Sequence, residues 1–126
     1  MTADGIRAFF DDLQASRFES IEPKLADDVV FEFPGQRFGG RQEGKRRVML
    51  FLKANQRLFT GGLAFHVHWV GIDGDRAVAQ WTNKGTTREG LAYANRGVTI
   101  FRQAGEVIVE IQDYLDTERI AETWPL

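Results

Sequence analysis

Apolar residues recur along this chain with two periods, one near 3.6 residues and one of two, and the change between them divides it. Ile6, Phe9, Phe10 and Leu13 stand at i, i+3, i+4 and i+7, the stripe of an amphipathic helix, with Thr2 or Asp4 as its N-cap. A short second helix is expected after Arg17, capped by Ser20, with Pro23 in its first turn and Leu25 turned inward. The β-branched and aromatic run between Asp28 and Pro34 reads as a strand that Pro34-Gly35 stops, followed by a Gly-rich loop through Gly40. Helical spacing returns over Glu43–Phe59, with Val48, Phe51, Leu52, Asn55, Leu58 and Phe59 on one face, and Gly61-Gly62 ends it. From Leu63 onward the period is that of strands. Leu63–Ile72 and Arg76–Thr87 flank Asp73-Gly74, a strong hairpin signal, and Leu91–Arg102 and Val107–Leu115 flank Ala104-Gly105. Helices grouped ahead of a strand meander predict an α+β fold, with the helices on one face of a curved sheet.

Composition narrows the function classes. The chain has 126 residues, 43% of them apolar, which fits one globular domain over residues 1–126 with a sizeable core. It has no Cys, so disulfides, Cys-ligated metals and thiol nucleophiles are excluded. A net charge of −2 offers no global attraction to nucleic acid. No apolar run reaches the ~18–20 residues of a membrane span, and Met1–Gly5 is not a signal sequence, so a cytoplasmic location is expected and no membrane partner. Ten Phe, three Trp and two Tyr are a large aromatic load that needs a use.

Strand parity points to the candidate chemistry. Val107, Val109, Ile111, Asp113 and Leu115 share one face, so Asp113 is a lone carboxylate on an aliphatic row. Burying an unpaired carboxylate is costly, so such a group is paired, hydrogen-bonded or protonated with a raised pKa. The alternative is that strand bending exposes Asp113 or that it caps a backbone amide. On the preceding strand Tyr93, Asn95, Gly97, Thr99 and Phe101 share a face that suits a cavity wall, the Tyr and Asn orienting a ligand and Gly97 leaving it room. Alternatively Tyr93 and Asn95 bond to each other or to the helices.

His66 and His68 lie two apart on one strand, a spacing for two metal ligands, but no third is identifiable and no metal is expected. Either His is a candidate base, or both sit at a sheet surface or dimer interface. Trp81 and Trp69 line a cavity or an interface, and parity does not decide which. The loop from Gly35 to Gly40 matches no phosphate-binding pattern and reads as a flexible loop at the cavity mouth. Arg37, Arg41, Lys45, Arg46, Arg47, Lys53 and Arg57 form either a solvated helix face or an anion-steering rim. No local motif suggests a Ser-His-Asp arrangement.

The element order, the run Leu25-Ala26-Asp27-Asp28-Val29-Val30-Phe31, the pattern Tyr93-x-Asn95-x-Gly97-Val98-Thr99-x-Phe101 and the ending Glu110-x-x-Asp113-Tyr114-x-Asp116-Thr117 resemble the nuclear transport factor 2-like superfamily. Within it the SnoaL-like group, which includes polyketide cyclases and ketosteroid isomerases, is the nearest match. The resemblance covers nearly the whole chain. It implies a cystatin-like cone, a curved antiparallel sheet wrapped around three helices, with an apolar interior pocket and a homodimer across the outer sheet face. Ketosteroid isomerases use an Asp base and an oxyanion hole of a Tyr and a protonated Asp. Those positions fall here on Phe33, Phe9 and Gly97, none of which moves a proton through a side chain. Limonene epoxide hydrolases pair a last-strand carboxylate, similar to Asp113, with an Arg-x-Asp that Arg76–Thr87 lacks; Arg88-Glu89 is the nearest substitute. SnoaL-type cyclases place their acid/base aspartate in a context similar to Asp113.

Two functions are therefore expected to compete. In the first, Asp113 is the general acid or base on a small hydrophobic, oxygen-bearing molecule held by Tyr93 and Asn95. Phe9, Phe31, Phe33, Phe51, Phe59, Trp81, Gly97, Phe101 and His66 line its pocket, and no cofactor is implied. In the second, the protein is a non-catalytic small-molecule-binding or dimerisation module.

Overall fold

The structure, a computed structural model, describes residues 1–125; Leu126, the last position of the expected 1–126 domain, lies outside them. The Thr2 hydroxyl accepts from the Gly5 amide at 3.0 Å and starts helix α1 (Ala3–Gln14), whose stripe Ile6, Phe9, Phe10 and Leu13 is buried as its spacing requires. Asp12 is buried beside that stripe, neutralised by Arg17 at 2.9 Å and Lys24 at 3.4 Å, which ties α1 to the segment that follows. Helix α2 (Phe18–Ile21) begins directly after Arg17 rather than at Ser20, and Pro23 falls in a 3₁₀ turn over Glu22–Lys24.

Strands β1 (Leu25–Phe33) and β2 (Gly40–Glu43) lead into α3 (Lys45–Arg57), and β3 (Ala64–Asp73), β4 (Arg76–Thr86), β5 (Ala92–Ala104) and β6 (Val107–Leu115) follow as a meander. A last helix, α4 (Thr117–Thr123), is capped by Asp116, whose carboxylate accepts from the Glu118 and Arg119 amides. The six strands form one sheet in the order β2-β1-β6-β5-β4-β3. Helix α1 packs over β3 and α3 over β1, so the helices lie on one sheet face, the expected α+β arrangement.

Three local features depart from the sequence reading. The sheet is mixed: β1 runs parallel to β6 while the other pairings are antiparallel. Hairpin signals specify only neighbouring antiparallel pairs, whereas a parallel pair needs a long crossover, here the chain from β2 through β5. Strand β2 was not expected: the sequence reading ends a loop at Gly40 and starts a helix at Glu43, and the polar residues between carry no strand pattern. It is an edge strand held by the β1 ladder and by Arg41, which bonds Glu32 and Glu43. The C-terminal α4 was not expected at all, although Asp116 followed by Ile120 and Trp124 at i+4 and i+8 carries its cap and its inward stripe.

The aromatic load knits the two layers. Phe101, fully buried on β5, meets Phe9 at 5.2 Å and Phe10 at 6.0 Å, both edge to face. Such pairs add about 0.5–1.5 kcal/mol beyond the burial of their area. A bulge in β3 shifts the register from Val67↔Trp81 to Trp69↔Gln80. The extra residue, His68, puts two consecutive side chains on the outer face.

Candidate functional site

Between the inner sheet face and helices α1, α3 and α4 lies a cavity of about 360 Å³, a volume in the range of small-molecule sites. Its wall is mostly aromatic and aliphatic. Phe9 and Phe10 come from α1, Phe31 and Phe33 from β1, Phe51 from α3, Phe59 from the turn after it, and Ile120 and Trp124 from the C-terminal segment. The polar groups on this wall include Asp113, Thr99, Asn83, Tyr93, Asn55 and Gln56.

Asp113 and Thr99 are register partners across β5 and β6, and the Thr99 hydroxyl donates to Asp113 Oδ1 at 2.6 Å. Thr99 in turn accepts from the indole N–H of Trp81 at 2.8 Å, which satisfies the buried indole and aims the single hydroxyl proton at the carboxylate. Burial lifts the Asp113 pKa to about 7, and the Thr99 hydrogen bond offsets part of that rise by stabilising the charged form.

Tyr93 stands at the other end. Its ring packs between Phe59 at 5.2 Å and Trp124 at 5.5 Å, and its oxygen accepts from Asn95 Nδ2 at 2.9 Å. Burial raises the phenol above its ordinary pKa, so at neutral pH its hydroxyl keeps its proton and remains a hydrogen-bond donor. Tyr93 and Thr99 are six positions apart on β5, about 20 Å of extended strand. Asp113 and Tyr93 therefore share a cavity without converging on one point.

Several sequence-derived lining residues lie elsewhere. Asn95 faces an open surface groove rather than the cavity, and its amide clamps the β6–α4 corner, donating to the Asp116 carbonyl at 3.0 Å and accepting from the Asp116 amide at 3.3 Å. Gly97 does not open space for a ligand: a Cβ there would overlap the Tyr114 carbonyl oxygen and meet Leu115 Cβ at 2.9 Å and the Trp81 ring at 3.0 Å, so the absent side chain makes room for the β6 backbone and for Trp81. Phe101 is core beneath the wall. His66 is exposed on the outer face, edge to face with His68 at 4.6 Å, because its parity is opposite to that of the inward Phe65 and Val67. The predicted Phe9, Phe31, Phe33, Phe51, Phe59 and Trp81 do line the cavity. Arg88 sits in the turn after β4 and donates to the Arg57 carbonyl at 2.8 Å, away from Asp113. Of the basic cluster, Arg41 and Lys45 are held by acidic neighbours, Lys45 by Asp27 at 3.4 Å.

Thr99 and Asn83 were missed. Thr99 matters through its register with Asp113, which one strand's sequence does not contain. Asn83 had a legible signal, since Ala77, Ala79, Trp81 and Asn83 share a parity and Asn83 is the amide on that row.

Comparison with known proteins places this geometry. No curated protein matches the chain. Among solved structures, an NTF2-like protein of unknown function from Burkholderia pseudomallei superposes with a TM-score of 0.84 at 18% identity, over 96% of this chain and 95% of that one. A putative SnoaL-like polyketide cyclase from Jannaschia sp. CCS1 gives 0.81 at 18% identity, over 93% and 86%. TerC, co-crystallised with polyporic acid, gives 0.81 at 21% identity, over 94% of each chain. At these identities the likeness is one of fold. The family model of the SnoaL-like domain matches residues 6–111, most of the strands and helices that enclose the cavity, and this chain belongs to that family.

Proposed function

We propose that the cavity binds a small hydrophobic, oxygen-bearing molecule and that Asp113 transfers a proton to or from it, in a reaction of isomerase, cyclase, dehydratase or hydrolase type. The observation that carries this reading is a carboxyl on an apolar cavity wall whose pKa is about 7, where one group both gives and takes a proton at neutral pH. Thr99 and Trp81 hold the carboxyl in one orientation, so proton transfer costs little rearrangement. Tyr93 is suited to donate to a ligand oxygen at the far end. The fold shared with a putative SnoaL-like polyketide cyclase and with TerC, co-crystallised with polyporic acid, supports a ligand of this kind. Phe9, Phe33 and Gly97 supply no proton chemistry, so the ketosteroid isomerase route is not part of the proposal. Self-association into a homodimer is supported by Trp69 and Tyr114, about half exposed on the outer sheet face.

Native mass spectrometry of protein purified from its host identifies a retained ligand, whose conversion is then measured. Asp113→Asn is expected to lower turnover ~10²–10⁴-fold, the usual contribution of a general acid or base. Full activity in that variant refutes the role of Asp113. A retained ligand that the native protein leaves unchanged favours the non-catalytic binding module, which the lack of proton chemistry at Phe9 and Phe33 also supports.

A further inference from the structure

Asn83 on β4 is 6% exposed and stands in the wall between the cavity and the surface groove that Asn95 faces, lining both. Its Oδ1 is sealed from solvent and finds no hydrogen-bond partner among the described residues. Its β5 register partner, Asn95, is of no help, because that amide is committed to Tyr93, Arg96 and Asp116. On the other side Asn83 faces Phe65, which has no polar side-chain group. Buried polar atoms are nearly always paired, and leaving one unpaired destabilises a fold, so an orphan in a cavity wall asks for a partner from outside the chain. The χ2 torsion of Asn is broad and roughly two-fold. The oxygen has no accessible surface on the cavity side either, and a half-turn that exchanges oxygen and nitrogen is what presents it to a ligand hydroxyl.

Position gives this group a distinct job. Asn83 pairs with Asn95, four residues along β5 from Thr99, and Asp113 lies on the next strand beyond. That places Asn83 about 13 Å from Asp113 along the strands and about 10 Å across them, before side chains reach inward. Trp81 and other apolar groups occupy the wall between. The cavity therefore has two polar ends separated by an aromatic middle.

We propose that Asn83 is a specificity residue: it binds a hydroxyl at the end of an elongated hydrophobic ligand whose other oxygen lies at Asp113, and the ligand-free fold is less stable for carrying it. This rests on the ligand-binding reading above and adds the ligand's second polar group. Removing Asn83 has opposite effects on stability and on recognition, a pattern that a purely structural asparagine does not produce.

The test uses Asn83→Leu, with Asn83→Val as a second variant of smaller volume, and two probes, 2-naphthol and 2,6-dihydroxynaphthalene, measured by calorimetry. The native protein is expected to bind the diol about fivefold more tightly than the mono-ol, the net effect of one added hydrogen bond. In the variants that advantage vanishes while 2-naphthol still binds, and without ligand at least one variant melts about 3 °C or more above the native protein. A diol advantage that persists in the variants, or that is absent from the native protein, overturns the proposal. So does a lower melting temperature in both variants, which would make Asn83 structural. If neither naphthol binds the native protein while a variant still melts higher, the ligand-binding reading itself has failed and the recognition role falls with it.

Discussion

Thr99 and Asp113 face each other across the β5–β6 ladder, and the 2.6 Å hydrogen bond from the hydroxyl to the carboxylate is the interaction around which the polar end of the cavity is built. Trp81 closes the arrangement by donating to Thr99, so three side chains from three adjacent strands define the orientation of one carboxyl.

Stability should depend on pH through Asp113. In the unfolded chain its carboxyl titrates near the ordinary 3.8 and in the fold at about 7. Between those values the native state keeps a proton that the unfolded state has released. Native stability therefore falls as pH rises from about 4 to about 7 and levels off beyond. Asp113→Asn removes the effect. Its stability relative to the native protein should grow across that window by up to about 4 kcal/mol, read from denaturant melts at pH 4, 5.5 and 8.

Thr99→Val removes both the donor to Asp113 and the acceptor of the Trp81 indole. With Trp81 2% exposed, its N–H is left buried and unpaired, at a cost of about 1–3 kcal/mol. The same change withdraws the interaction that favours ionised Asp113, so the carboxyl should titrate higher. Urea denaturation reads the first effect and carboxyl infrared titration the second.

Gly97→Ala tests the packing of Trp81. The new Cβ would overlap the Tyr114 carbonyl oxygen and stand 2.9 Å from Leu115 Cβ and 3.0 Å from the Trp81 ring, so the β6 backbone as well as the indole must shift. Overpacking of this kind costs about 1–3 kcal/mol. The denaturation midpoint should fall with an unchanged slope, and Trp fluorescence should shift as the indole moves.

Asn95→Leu should loosen the C-terminal corner. The native amide holds the Asp116 backbone at both its N–H and its carbonyl, and Asp116 caps α4. Losing it should cost about 1–3 kcal/mol. Amide exchange in residues 117–123 should accelerate well before that in β4 and β5, because α4 is the element the clamp secures.

Local spacing in the sequence was enough to determine most of the helices and strands, though not β2 or α4, and the inward rows of α1 and β6. The α1 stripe, the two hairpins and the inner row of β6, with Asp113 as its one carboxylate, follow from periods of 3.6 and two, since each depends on neighbours within a few residues. Tertiary structure decided what those inward residues meet. The parallel β1–β6 pairing and the edge strand β2 come from long-range ladders that no local pattern specifies. The bulge at His68 sends Trp69 to the outer face beside His66 and His68. Gly97 was read as room for a ligand and is room for the β6 backbone and Trp81, a distinction made only when the neighbouring strands are in place. Register placed Thr99 opposite Asp113 and set Tyr93 about 20 Å of strand away, because contacts across a sheet depend on pairing between strands and not on the order of residues within one.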